Sequence, residues 1–469
     1  MSNRMFGRTR VSLESLVEEP AVAEEDVIEI ATRPDPEAVE AVAEMNDAGE
    51  VVIDHETDVA ELADATDNLE QYRAVLEGSL EENGMDAAGA RAIQVGLDST
   101  LSRVGTEINT PALESYGSAS NRIQATRLTI EAIGDKVKEI WEAIKRALAN
   151  AWAALKKFFL SVFSAVERTR QQAEKVKAAA SAATGTPTET SVEAKGAGTK
   201  LAINGKVPTT WVKTVSNVLT SAAAAVQKAD EISGLYSSVA QSMAGGSVTE
   251  GMASASGAVK SYMDEITSVA QMFAKDGGMP AASSFKVPGV DSARSSVQLS
   301  AFLPGNAVFY VASPKGSESG PMSLADTVAA SKAGFYQMGA KGEASDTFTV
   351  LKDAEIVQLA DAIIDACNQL DQRKDALAKT AEAGTALVKA GDSLLNKAAN
   401  ESDDVQAQVR QTVQALPRLA ENSGQWPKQL VSYLVGVSGA TLKVAQASLK
   451  AYRAAESGTA ALAAPAATA

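Results

Sequence analysis

Residues 140–159, IWEAIKRALANAWAALKKFF, decide the fold. Their apolar side chains belong to a longer series: Ile133, Val137, Ile140, Ile144, Leu148, Trp152, Leu155, Phe159, Val162 and Val166. Each step is three or four residues, so the series forms one continuous apolar face of a helix. The opposite face carries Lys136, Lys138, Lys145, Arg146, Lys156 and Lys157. The spacing predicts a helix over 121–180 that ends near Gly185-Thr186-Pro187. Such a face has two uses. It can be buried against other helices, or it can lie in a membrane interface through Trp141, Trp152, Phe158, Phe159 and Phe163. Packing is favoured, because the stripe is unbroken and the rest of the chain offers partners. The window 147–166 reads as the most apolar of the chain, but Lys156 and Lys157 interrupt it. Its longest clean part, FFLSVFSAV, is far short of the roughly 20 residues that a spanning helix needs.

The remaining composition agrees with a helical protein. Of 469 residues, enough for two or three domains, 45% are hydrophobic but only 5% aromatic, and much of the apolar content is alanine. That suits helices packed through small side chains. The chemistry of catalysis is sparse. One histidine, His55, and one cysteine, Cys367, exclude an internal disulfide and the usual zinc constellations. They also leave little for Ser-His-Asp or Cys-His catalysis. His55-Glu56 has no second histidine four residues after the first. Gly205-Lys206 is followed by Val207, and Lys200 stands where a phosphate loop needs glycine. Cys367 falls on an apolar helix face, as a structural thiol does. The expectation is a non-enzyme without cofactor or metal. The N-terminal MSNRMFGRTRVSLESLVEE lacks the apolar core of a signal peptide.

Along the chain, residues 1 to about 60 read as disordered or loosely helical, being acidic and proline-punctuated. Helical spacing runs from Thr57 to about Leu101, with breaks at Gly84 and Gly89. After the 115–183 helical segment, 184–207 reads as a flexible Gly/Thr/Lys linker. Helix returns over 209–243, Gly-Ser-rich AGGSVTEGMASASG interrupts it, and another helix covers about 259–275. SSVQLSAFLPGNAVFYVAS, 295–313, has two Val/Phe/Tyr runs separated by Pro-Gly-Asn, a hairpin signal. From Asp353 helices follow to about Asn400, from Asp403 to about Ala415, and from Pro427 to about Glu456. The predicted fold is mainly α: an elongated multi-helix bundle with a small β element around 285–350 and a partly disordered acidic N-terminal segment. The predicted divisions are 1–114, 115–183, 184–207, 208–352, 353–457 and a disordered tail, 458–469.

Charge is spread unevenly. Met1 to Glu114 hold 7 Lys+Arg, all arginine, and 27 Asp+Glu, a net of −20. The other 355 residues hold 36 basic and 32 acidic groups, a net of +4. The switch falls at TPALESYGSAS, 110–120, between a Thr-Pro break and a Gly-Ser loop. A net of +4 limits any contact with DNA phosphates to a weak, nonspecific one.

Ala112-Leu113-Glu114, followed by Ser115, resembles the small-x-Glu signal cut by the head-maturation protease of giant tailed bacteriophages. Ser12-Leu13-Glu14 and Ser191-Val192-Glu193 have the same form and stand as secondary sites. The order of parts also resembles the internal head proteins of phiKZ-like phages. An acidic segment ends in LESYG, and IWEAIKRALANAWAALKKFF follows. Then come LPGNAVFYV, TVLKDAEIVQLADAIIDACNQLDQRKDAL and YLVGVSGATLKVAQASLKAY. The resemblance covers most of residues 10–455. It implies a precursor made in the bacterial cytoplasm, trimmed by the prohead protease and retained in the capsid with packaged DNA. Inner-body and other capsid-interior proteins are the implied partners, and ejection with the genome is a further expectation. Two alternatives remain open at this point: a scaffold or coiled-coil assembly protein, and a membrane-active protein using the 121–180 helix. The hairpin and glycine breaks disfavour the coiled coil.

Overall fold

The 140–159 stretch lies in the middle of a 64-residue helix, Ala119–Ala182. This computed structural model describes residues 31–32, 35–183, 186–273, 287, 290, 292–315, 324–337 and 344–460. Its helices, in chain order, are α1 (Pro36–Glu81), α2 (Ala87–Arg103), α3 (Ala119–Ala182), α4 (Ala197–Leu201), α5 (Trp211–Gly245), α6 (Val248–Met272), α7 (Leu324–Ala330), α8 (Asp353–Gln372), α9 (Lys374–Ala398) and α10 (Asp403–Ala460). The strands are β1 (Ser191–Glu193), β2 (Ser295–Leu299), β3 (Ala307–Pro314), β4 (Lys332–Gln337) and β5 (Thr347–Thr349). At 1.5 Å per residue α3 is about 96 Å long, which makes the bundle elongated.

The apolar stripe of α3 is buried as its spacing predicts, Ile133 and Val162 completely, and α1, α8, α9 and α10 cover it. α1 runs antiparallel to it: the Gln172 amide donates to the Ala31 carbonyl at 2.9 Å, Arg168 pairs with Glu37, and Phe158 lies against Gly49. α9 is also antiparallel to α3. Asp392 accepts from the Trp141 indole at 2.6 Å and from Lys145 at 3.0 Å, and Lys374 lies over the Phe163 ring at 5.2 Å. α10 joins through Gly424, which touches Trp152 and Leu155.

The hairpin expected at 295–313 is present as β2–β3, with Leu299 opposite Tyr310. Gly305 (φ 80°) and Asn306 (φ 52°) turn the chain in the left-handed region. β4 completes an antiparallel sheet, β2-β3-β4. It docks on α10: Phe335 stacks on Tyr433 with centroids 4.7 Å apart. The Phe335 N–H donates to Gln429 Oε1 at 2.8 Å. Gly334 leaves room for the Gln429 amide, since an added Cβ would sit 2.4 Å from its oxygen and displace it.

Four regions differ from the sequence reading, each for an identifiable physical reason. The segment expected to be disordered or loosely helical is helical from Pro36. Asp35 caps it by accepting from the Glu37 N–H at 3.1 Å, and Pro36 occupies the first turn. Here proline starts a helix, and Ala41, Val42, Met45, Ala48 and Val52 bury its inner face. The expected flexible linker 184–207 contains β1, which pairs antiparallel with β5, and α4. The Asp346 carboxylate accepts from the N–H groups of Gly196 and Gly198, both at 2.8 Å. The Gly-Ser break shrinks to Gly246-Ser247: a capping box between Ser247 and Glu250 starts α6, and Gly251 lies inside it against Leu394. Gly89 likewise lies inside α2, its N–H donating to the capping Asp86, whereas Gly84 (φ 85°) is a break.

The fourth difference is α10, which runs through Pro417 and Pro427. Between them the Tyr236 hydroxyl donates to the Leu419 carbonyl at 3.1 Å and the Tyr262 hydroxyl to the Asn422 carbonyl at 3.2 Å. α5 and α6 are thus tied to the stretch of α10 between the two prolines. Joined in this way, α10 is long and apolar enough to cross a membrane: within Asp404–Tyr452 a window reaches mean hydropathy 1.2, and 61% of that window is buried in the bundle. The first 30 residues and the end of the expected tail, 461–469, lie outside the described residues.

Trp152 occupies a slot between two glycines, Gly384 on α9 and Gly424 on α10. A Cβ on Gly384 would lie 2.3 Å from its ring, whereas one on Gly439 would meet nothing within 4 Å. Gly384→Ala is therefore expected to destabilise by about 1–3 kcal/mol through overpacking. Gly439→Ala is expected to stabilise by up to about 1 kcal/mol through helix propensity. Urea unfolding midpoints of the two variants check the opposite signs.

Candidate processing site

Between α2 and α3 residues 106–112 have no regular secondary structure, and a single 3-10 turn, Leu113–Tyr116, follows. The Ser115 N–H donates to the Ala112 carbonyl at 2.9 Å and the Gly117 N–H to the Glu114 carbonyl at 3.1 Å. Ala112 and Glu114 are exposed, Leu113 and Ser115 half-buried, and Tyr116 buried. The four candidate residues thus share one turn, with the Glu114 side chain accessible.

The turn is held from both sides. Gln94 donates to Thr110 Oγ1 at 2.7 Å, and Lys136 donates to Thr106 Oγ1 at 3.1 Å. The Tyr116 hydroxyl lies 2.5 Å from Thr129 Oγ1. Both hydroxyls also reach the Ala125 carbonyl, Thr129 at 3.0 Å and Tyr116 at 3.4 Å. Tyr116 packs with Ala90 and Ala125, flanked by Met85 and Leu113. Burial pushes its phenol pKa up, partly offset by Thr129. A protease that reads extended backbone must first release this tyrosine by local opening.

The other sequence candidates are scattered. Ser12, Leu13 and Glu14 lie outside the described residues. Ser191, Val192 and Glu193 form β1 with Val192 buried, so their backbone is engaged in a ladder rather than in a flexible linker. Trp141, Trp152, Phe158 and Phe159 are all buried in the bundle, and Phe163 is too. Lys145 is tied to Glu142 and Asp392; Lys156 and Lys157 are exposed. Among the described residues no group of three His, Cys, Asp or Glu is arranged to hold a metal. Cys367 is buried, which pushes its thiol up to about 12. His55 sits 3.8 Å from Asp58 on α1.

Sequence reasoning missed the acidic groups on the inner side of α1. Glu56 pairs with Lys428 at 2.7 Å, and both side chains are buried. Arg418 reaches Asp64 and, at 2.5 Å, Asp67; Arg410 lies 4.0 Å from Glu70. All three cations belong to α10. Burial raises the pKa of Glu56, Asp67 and Glu70, against the lowering pull of Lys428, Arg418 and, for Glu70, Arg73 and Arg410. For each of the three, desolvation is the larger cause and the attraction of the paired cation the smaller. Nearby, Glu421 accepts from Gln425 at 3.0 Å, and burial pushes its carboxyl up to about 8. The signal was present in the sequence: Glu56, Asp67 and Glu70 sit beside the apolar positions Val59, Ala63 and Leu69.

The sequence profile of the phiKZ-like phage internal head proteins matches residues 37–447. The chain belongs to that family. No curated protein and no solved structure matches it. Membership in the phiKZ-like phage internal head proteins assigns the chain a structural role inside a phage head, as the resemblance implied. The match begins in the first turn of α1 and ends in α10, so this internal head protein carries family sequence on both sides of Glu114.

Two outcomes are expected. Tyr116→Ala should speed cutting after Glu114 by a Glu-specific endoprotease at least about tenfold in the folded chain, with Tyr116→Phe in between; timed digestion with fragment masses checks this. Lys428→Ala should cost about 3–5 kcal/mol by stranding Glu56, whereas Glu56→Met with Lys428→Met should be near neutral. A double-mutant cycle in urea measures both.

Proposed function

We propose that this internal head protein is made as a precursor and cut after Glu114 by a phage head-maturation protease, the 115–469 body remaining in the capsid with packaged DNA. One observation carries the reading: Ala112-Leu113-Glu114-Ser115 stands in a solvent-facing turn at the boundary between the −20 and +4 parts of the chain. Exposed turns between helices are where proteases act. Family membership supplies the setting, a head interior. The prohead protease and other capsid-interior proteins are the proposed partners. Contact with DNA is proposed as weak and nonspecific, and ejection with the genome accompanies it.

The test is the N-terminal sequence and intact mass of this protein from mature particles. A start at Ser115 is the expected result, and Glu114→Gln should leave the chain uncut at that bond. A Met1 or Ser2 end in mature particles would overturn the processing reading.

A further inference from the structure

Cutting the chain between Glu114 and Ser115 breaks one peptide bond, but the two products share a core. On the N-terminal side, α1 buries Met45, Val52, Val59, Leu69 and Leu76. On α3, Phe158 lies against Gly49, and Leu148 lines one small cavity with Glu56 and Val59; α1 packs along α3 more extensively than any other helix does. Without α1 that face of α3 would meet water over most of its length, and Lys428 and Arg418 would lose their carboxylates. The new ends lie in the 3-10 turn, away from this seam. Tyr116 stays with α3, and α2 packs against α1 from the outgoing side.

From this we infer that the acidic segment is not shed when the bond after Glu114 is cut. It remains seated on α3 and α10 as the second chain of a non-covalent complex, so the mature protein is a two-chain bundle. The partner recognised by the α3/α10 groove is a helix of this same polypeptide, chosen by an apolar stripe and by carboxylates opposite Lys428, Arg418 and Arg410. The inference rests on processing at Glu114 for its biological setting, but the docking is testable without the phage protease.

The full chain is prepared with residues 112–115 replaced by the recognition sequence of an unrelated, highly specific protease. It is cut to completion and passed over a sizing column at micromolar concentration. Circular dichroism before cutting establishes that the variant is folded. Both fragments are expected in one peak, at moderate and at high salt, separating only in denaturant. A second version carrying Asp64→Lys and Asp67→Lys is expected to release the small fragment at least about tenfold faster after cutting. Separate elution of the two fragments in native buffer would overturn the inference. Intact Met1 ends in particles would overturn only the processing reading, so the two failures are distinguishable.

Discussion

The bundle depends on keeping the apolar face of α3 dry along its full length. A helix of 64 residues with one continuous stripe cannot be stable alone in water, because its apolar groups need a partner at every turn. Each large aliphatic side chain that is fully buried contributes roughly 1.5–3 kcal/mol. α1, α8, α9 and α10 supply that cover, three of them from the C-terminal half of the chain. The Ala-rich composition makes this arrangement feasible, since small side chains let long helices approach closely. Where a large ring intrudes, as Trp152 does, glycines at 384 and 424 open the space.

The same constraint changes the meaning of the acidic front. By composition, residues 1–114 look like a solvated segment joined to a mildly basic body. In the fold, residues 36–103 form two helices, and α1 is part of the common core. Charge and packing therefore divide the molecule in different places. Charge changes at Glu114, whereas the core continues across it. The family match, which covers both sides, follows the packing rather than the charge.

Much of this was legible in the sequence. The α3 stripe, the β2–β3 hairpin and the Asp353 start of α8 follow from periodicity and turn chemistry. What was not legible came from long-range contacts. Asp346 orders Gly196 and Gly198 from about 150 positions away, and nothing in 184–207 encodes it. Tyr236 and Tyr262 anchor α10 from α5 and α6 between two prolines that read locally as breaks. The turn at Glu114 was found from its residues, but its latch, Tyr116 on Thr129, needed the fold. Glu56 looked like one more surface carboxylate until Lys428 was placed beside it.

An Ala-rich seam is slippery. Where the seam is lined by Ala41, Ala48, Ala63 and Ala65, sliding one helix along another by a turn, about 5.4 Å, exchanges one small side chain for another. The charged contacts between α1 and α10 are not interchangeable in that way. Moving α1 by one turn would set Glu56 against apolar neighbours and leave Lys428 unmatched, a cost that no alanine contact imposes. Spaced along two long helices, the pairs of Lys428, Arg418 and Arg410 act as detents on a rail. They index the sliding coordinate, so a bundle built largely from small side chains stops at one position.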